Sequence, residues 1–301
     1  MSTTTAAAAT DSPPARAGVG HISCVFRNPR TILTQLAFAY PLRLLAPRAH
    51  SRSAAAYALT FGGGLLSGDR ITLNVSLAPH TSLALLTQGS TKVFPRKTAG
   101  ETGVSAQTLV ATVAASALLA LLPDPTTLFA GAAYVQNQTV RCDSGASLCL
   151  LDWYTAGRAS RGERWEFESY ETVNEVWVDS VCVVRDAWLL EDDRRKRTYA
   201  ERMGAYECFA NVILLGPRLE RAAQSVAAAS TTTSTAKNVP ASASPAAAKD
   251  LIWSASPIPN CEGGIVVRAA SLDTQAMRRF LAEVVLKDLE VELGERWFSP
   301  T

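Results

Sequence analysis

Apolar and polar residues alternate with a period of two along much of the chain. Ile71-Thr72-Leu73-Asn74-Val75-Ser76-Leu77 does so without a fault. That period sends one set of side chains to a buried face and the other to solvent, and so predicts a half-buried strand. Comparable short runs recur at Tyr57–Phe61, Ser82–Thr87, Leu109–Val113, Ala117–Leu122, Ala133–Arg141, Leu148–Tyr154, Arg164–Glu171, Val173–Val178, Val181–Leu190, Tyr206–Leu215 and Ile265–Ala270. Glycine, proline or small polar clusters punctuate them. Strands at this spacing predict an all-β stack, sandwich or solenoid. No fixed period emerges, which argues against a strict repeat protein.

Two segments carry helical signals. Pro217-Arg218-Leu219-Glu220-Arg221 starts like a helix, with proline in the first turn. It then runs into alanine-, serine- and threonine-rich sequence over 222–248, which is expected to be a flexible insert. The second helix is expected after Ser271, a candidate N-cap, with Asp273 in its first turn. Met277, Phe280, Leu281, Val284, Val285 and Leu289 form its apolar stripe, and Gly294 stops it. Such a stripe docks on a core or meets a partner. Residues 1–18 are expected to form a disordered tail, leaving one domain over 19–301.

Composition narrows the function classes. The chain has 301 residues, 48% apolar and only 19% charged, with a formal net charge of +2. That charge balance excludes general attraction to phosphate backbones, so nucleic acid is not expected as a partner. The low charge fraction implies extensive burial or an apolar surface that meets another protein. The longest apolar run, Thr108 to Leu122, is too short to cross a bilayer, which takes about 20 residues. Ala114-Ala115-Ser116 in its middle suits a turn between two buried strands. The N-terminus has no basic start followed by an apolar core, so a cytoplasmic location is expected. The six cysteines, Cys24, Cys142, Cys149, Cys182, Cys208 and Cys261, form no CxxC pair and are expected to be reduced thiols, mostly core filler. His21, His50 and His80 stand alone, without metal-ligand spacing.

Two segments are dense in candidate chemistry. Gly62-Gly63-Gly64-Leu65-Leu66-Ser67-Gly68-Asp69 is glycine-rich but ends in an acid and leads into a strand. A phosphate loop needs Gly-Lys-Ser/Thr leading into a helix, so a nucleotide site is rejected here and at Gly89-Ser90-Thr91-Lys92. The cluster is either a tight corner or a backbone-lined opening with Asp69 at its rim. The second segment runs from Asp152 to Trp165. Arg158, Arg161 and Arg164 are placed to pair with Asp152 and Glu163, either as a salt-bridged hairpin or as a polar site. The run Glu191 to Arg197 reads as a solvated hairpin tip.

The order of the motifs is more informative than any one of them. Tyr40-Pro41-Leu42 comes first, then Gly62 to Asp69 with Gly63, Gly64 and Gly68, then Thr87-Gln88-Gly89-Ser90-Thr91-Lys92. Leu122-Pro123-Asp124-Pro125 follows, with Phe129-Ala130-Gly131 and Gln136, and then Gly157-Arg158 with Arg161-Gly162-Glu163-Arg164-Trp165. This series resembles the urease accessory protein family of the UreD/UreH type. The resemblance implies a mainly β fold of stacked antiparallel or solenoid-like sheets with a few C-terminal helices, and no enzyme activity. It implies a maturation scaffold that binds apo-urease, a helical accessory protein of the UreF type and, through it, a GTPase of the UreG type. It also implies an internal passage for nickel(II) in transit, with no stably bound cofactor. Carboxylates, carbonyls and water release a metal more readily than thiolate or imidazole clusters. Asp69, Glu163 and Asp152 are therefore the candidate passage residues, and the helix around Met277, Phe280, Leu281 and Val284 the candidate partner surface. The competing reading is a β-solenoid carbohydrate hydrolase or lyase that uses Asp69, Asp152 and Glu163 as its acids.

Overall fold

The computed structural model describes residues 16–47, 51–95, 103–191, 198–233 and 250–299. The strands are β1 (Val19–Arg27), β2 (Arg30–Phe38), β3 (Leu42–Leu45), β4 (Ala54–Thr60), β5 (Arg70–Leu77), β6 (Ser82–Leu86), β7 (Thr91–Val93), β8 (Ser105–Val113), β9 (Leu118–Leu122) and β10 (Thr126–Leu128). They continue with β11 (Ala133–Cys142), β12 (Ser147–Thr155), β13 (Ser169–Val178), β14 (Val181–Glu191), β15 (Cys208–Leu215), β16 (Leu251–Pro257) and β17 (Ile265–Ser271). The helices are α1 (Tyr199–Met203), α2 (Glu220–Thr233), α3 (Thr274–Phe280) and α4 (Leu289–Leu293). The protein is mainly β, as the alternation predicts.

The strands form two sheets. The seven-stranded sheet runs β14-β13-β11-β8-β5-β1-β2, and the ten-stranded sheet runs β16-β17-β15-β12-β9-β6-β4-β3, with β10 beside β12 and β7 beside β10. From β5 to β13 the chain coils between them. β5, β8, β11 and β13 pair in parallel in one sheet, and β6, β9 and β12 in parallel in the other. Antiparallel pairs, such as β13 with β14 and β12 with β15, close the ends. The turns of the coil differ in length, which explains the winding without a sequence repeat.

Side-chain parity builds three layers. In β5, Ile71, Leu73, Val75 and Leu77 point into the core between the sheets. β6, β9 and β12 are buried on both faces. Leu119 and Leu121 face the seven-stranded sheet, while Leu118, Ala120 and Leu122 face the helices. Two-sided burial accounts for the unbroken apolar runs of the sequence. Each fully buried leucine contributes about 1.5–3 kcal/mol relative to an exposed one. Among the described residues, no helix is long and apolar enough to cross a membrane. The six cysteines carry free thiols. Burial pushes those of Cys24, Cys142 and Cys149 up to about 12, which suits filler rather than nucleophiles.

Several expectations need correction. The segment from 222 is not a flexible insert along its first half: α2 continues through it and buries Ala222, Ala223 and Val226 against the ten-stranded sheet. Alanine favours helix and is thin enough for close packing, so little bulk suffices. Residues 234–249 lie outside the described residues, as do 1–15, His50 and 192–197. Gly18 is not part of a loose tail: its amide donates to Tyr40 O and its carbonyl accepts from Thr72 N. The C-terminal helix is capped by Asp273, not Ser271, and Asp273 Oδ1 accepts from Ala276 N at 2.7 Å. It is also three pieces, α3, a π-helical turn at Leu281–Val285, and α4. Met277, Phe280 and Leu281 are buried in the core under the helices, so they are not a partner surface, and Val284 packs against the same core. Ser169 to Val178 is one strand, β13, rather than two.

The helix at 222–233 makes a testable distinction. Ala223 is 2% exposed. Ala223→Asp is expected to cost about 3 kcal/mol of stability in a denaturant titration, because it buries an unpaired charge. A flexible segment would tolerate the change.

Candidate functional site

A belt of polar side chains interrupts the core between the sheets. The inward positions of β12 read Leu148, Leu150, Asp152, Tyr154, so Asp152 stands where parity calls for an apolar residue. In the facing sheet, register aligns Gln107, Gln136 and Thr172 in one row and Gln138, Asn174 and Asp186 in the next. In the ten-stranded sheet, Asp152, Asn211 and Arg268 lie side by side across β12, β15 and β17.

The two sheets exchange acids and donors. Asp152 accepts from Gln136 Nε2 at 3.0 Å, Thr172 Oγ1 at 2.9 Å and Asn174 Nδ2 at 2.8 Å, all on the opposite sheet. Asp186 accepts in return from Asn211 Nδ2 and Arg268 Nη2, each at 2.6 Å, and from Trp188 Nε1 at 2.8 Å. Gln138 Nε2 holds Asn174 Oδ1 at 2.8 Å, and Tyr134 Oη donates to the side-chain oxygens of Gln107 and Gln136. Burial raises the Asp152 pKa above the ordinary carboxylate range; its three donors oppose the shift and the charge of Asp186 adds to it. Tyr154 Oη, Tyr170 Oη and Asn211 Oδ1 are buried without a protein hydrogen-bond partner. The belt thus has oxygen atoms left over for a water or a hydrated cation.

A cavity of about 180 Å³ opens onto this belt. Asp152, Gln107, Gln136 and Gln138 form its polar wall, Leu73, Leu85 and Leu121 its apolar wall, and Gly63, Gln88, Gly89 and Pro123 belong to its lining too. Tyr40 lies near this end, 64% exposed, with its ring 5.7 Å from that of Phe61, while Pro41 is buried and its carbonyl accepts from Phe61 N. Lys92 is exposed and its carbonyl holds Leu65 N, while Pro125 O holds Thr91 N. Several of the motifs named from sequence therefore converge on one mouth.

The other two candidate acids are occupied elsewhere. Asp69 Oδ2 accepts from Leu66 N at 2.8 Å and closes the turn at Gly68, while Gly64 stays extended just before it. Glu163 pairs with Arg158, whose guanidinium lies 4.0 Å from the Phe129 ring centroid, and accepts from Ala130 N at 3.4 Å. The hydrogen bond from Arg158 holds the Glu163 carboxyl below its usual pKa. Gly131 N donates to Glu166 O, and Gly162 ends the intervening turn in a left-handed conformation. This is a clamp between two loops. Neither acid lines the cavity, and among the described residues Asp152 takes no arginine partner; Arg164 pairs with Glu207 instead. Among the described residues no group of three His, Cys, Asp or Glu side chains could hold a metal. The three acids do not assemble into one hydrolytic centre. Asp186, Asn174 and Asn211 were invisible as motifs; their one signal is a polar residue at inward parity.

A profile of the UreD urease accessory protein matches residues 17–296. The chain belongs to the UreD family. It is 35% identical over 284 residues to urease accessory protein UreD of Sorangium cellulosum, covering 94% of this chain and 84% of that protein. It is 34% identical over 285 residues to urease accessory protein D of Arabidopsis thaliana, covering 88% and 94%. It is 40% identical over 195 residues to urease accessory protein D of Oryza sativa subsp. indica, covering 64% of this chain and 62% of the rice protein. The chain thus spans about three fifths of the rice relative's length. The UreD profile spans both the cavity mouth and the Arg158–Glu163 clamp.

Two outcomes are expected. Asp152 binds its proton more tightly when folded than when unfolded, so folding loses stability as pH rises from the ordinary carboxylate range through the raised value. Asp152→Asn is expected to flatten that slope in thermal melts across pH. Gly157 has φ +137°, and a Cβ there would lie 2.9 Å from Glu163 O. Gly157→Ala is expected to cost about 2–4 kcal/mol by denaturant titration, from backbone strain and the displaced clamp.

Proposed function

We propose that this chain is a urease maturation factor, a scaffold that binds apo-urease and the other accessory proteins and passes nickel(II) to the urease active site. The ion travels through the space between the two sheets. The carrying observation is the buried belt around Asp152, found in a member of the UreD family. A passage must bind its cargo and let it go. Carboxylate, amide and hydroxyl oxygens exchange a borderline cation, whereas clustered thiolates or imidazoles would retain it. Asp152 and the side-chain oxygens of Gln107, Gln136 and Gln138 line the cavity and offer oxygen ligands to the passing ion. Asp69 and Glu163 brace the loops of the scaffold rather than touch the ion.

On this reading the chain works in the cytoplasm without catalysing a reaction. A helical partner of the UreF type docks on it and recruits a nickel-carrying GTPase of the UreG type. The absence of a phosphate-loop motif in the sequence fits a GTP site on that partner.

The test uses the chain in its complex with apo-urease at limiting nickel. Asp152→Asn is expected to co-purify normally and to lower urease activation about tenfold, equivalent to about 1.4 kcal/mol. Full activation by both Asp152→Asn and Asp152→Ala overturns the passage. Normal urease activity after deletion of the chain overturns the maturation role.

A further inference from the structure

The loop after β6, Thr87 to Ser90, lines the cavity mouth, and several of its anchors lie on one short segment. Asp124 N donates to Thr87 Oγ1 at 2.7 Å. Gly89 N donates to Asp124 Oδ2 at 2.8 Å. Just beyond the loop, Thr91 N donates to Pro125 O at 3.0 Å. Gly89 has φ +76° and nothing lies within 4 Å of the position a Cβ would take. The left-handed backbone at Gly89 is therefore set by its own turn and the Asp124 carboxylate, not by packing.

The second oxygen of that carboxylate reaches a distant part of the chain. Asp124 Oδ1 accepts from Arg278 Nη2, on α3. The Arg278 guanidinium lies 5.3 Å from the centroid of the Trp153 ring and 5.2 Å from that of Phe298. Trp153 Nε1 in turn donates to Pro123 O at 2.8 Å. One cation thus lies against a ring of the ten-stranded sheet and a ring of the C-terminal segment, which themselves meet edge to face at 6.1 Å, and it points at the acid that holds the mouth loop. Charge-assisted bonds of this kind are about twice as strong as neutral ones, and lysine cannot reproduce the planar stacking.

We infer that Arg278 and Asp124 form a strut through which the C-terminal helical layer sets the shape of the cavity mouth. Arg278 is a positioning residue. It fixes Asp124, Asp124 fixes the Gly89 amide, and the Gly89 turn fixes how the mouth meets an incoming ion. A shift of α3 along the sheet reaches the mouth through this chain of contacts. The inference rests on the passage reading for its functional consequence, but not for the strut itself.

The experiment keeps the two apart. Amide exchange is measured on the full chain bound to apo-urease, alongside urease activation as a function of nickel concentration. Arg278→Met is expected to speed exchange over 87–91 at least tenfold while β6 and β12 stay protected. It should also raise the nickel concentration for half-maximal activation severalfold and leave the plateau unchanged. Arg278→Lys should fall between wild type and Arg278→Met. Asp124→Asn, which leaves the guanidinium in its aromatic slot, should reproduce the loss if Arg278→Met does not fold. Unchanged exchange over 87–91 in these variants overturns the strut. Faster exchange with an unmoved nickel curve supports the strut and overturns the passage reading beneath it.

Discussion

The arrangement rests on an exchange of acids across the space between two sheets. Asp152 belongs to one sheet and takes its donors from the other; Asp186 does the reverse. A buried carboxylate is costly unless its lone pairs are filled, and here filling them requires both sheets in register. A slip of one residue in β12 would turn Asp152 toward the helices and Leu151 into the belt. The polar belt therefore fixes how the sheets face each other, which an apolar core of interchangeable leucines would leave loose. The same belt is the chemically distinctive part of the interior.

Around this belt the scaffold is layered for rigidity. The ten-stranded sheet is held from both sides, by the inter-sheet core and by the helices. The loops at two of the strand ends are clamped by ion pairs. Arg158 with Glu163 holds the loop before β11, and Arg278 with Asp124 holds the one after β6. Both guanidinium groups also lie over aromatic rings, so each clamp combines charge with a fixed plane.

How much of this was legible in sequence depended on the range of the interaction. β5 was visible because one face is core and the other solvent, and β9 and β12 because both faces are core. β2 and β16 were not, since their residues are mostly exposed or half-buried and carry no clean period. Parallel pairing was also hidden, because β5 pairs with β8 across a long excursion that leaves no local trace. In the site, Asp152 stood out at the end of an apolar run and proved central. Asp69 and Glu163 stood out through their glycine-rich settings, which mark turns rather than the belt. Asn211 was hidden as the one polar residue of an apolar strand, and Asp186 because it stands beside Arg185 in a mostly exposed strand; the meaning of both depends on a partner strand far away in sequence.

The layering has a consequence for the order in which the chain is made. β8, β11 and β13 each land beside the preceding strand of the seven-stranded sheet, and β9 and β12 each beside the preceding long strand of the other, so the coil grows in the order of synthesis. The helices that cover the far side of the ten-stranded sheet come in the last third of the sequence, after β6, β9 and β12. Until they are complete, Ala84, Leu86, Leu118, Leu122 and Leu151 form a bare apolar sheet face. A nascent or C-terminally truncated chain therefore presents a sticky surface that the finished protein never shows, and depends on rapid helix docking or a chaperone to stay in solution.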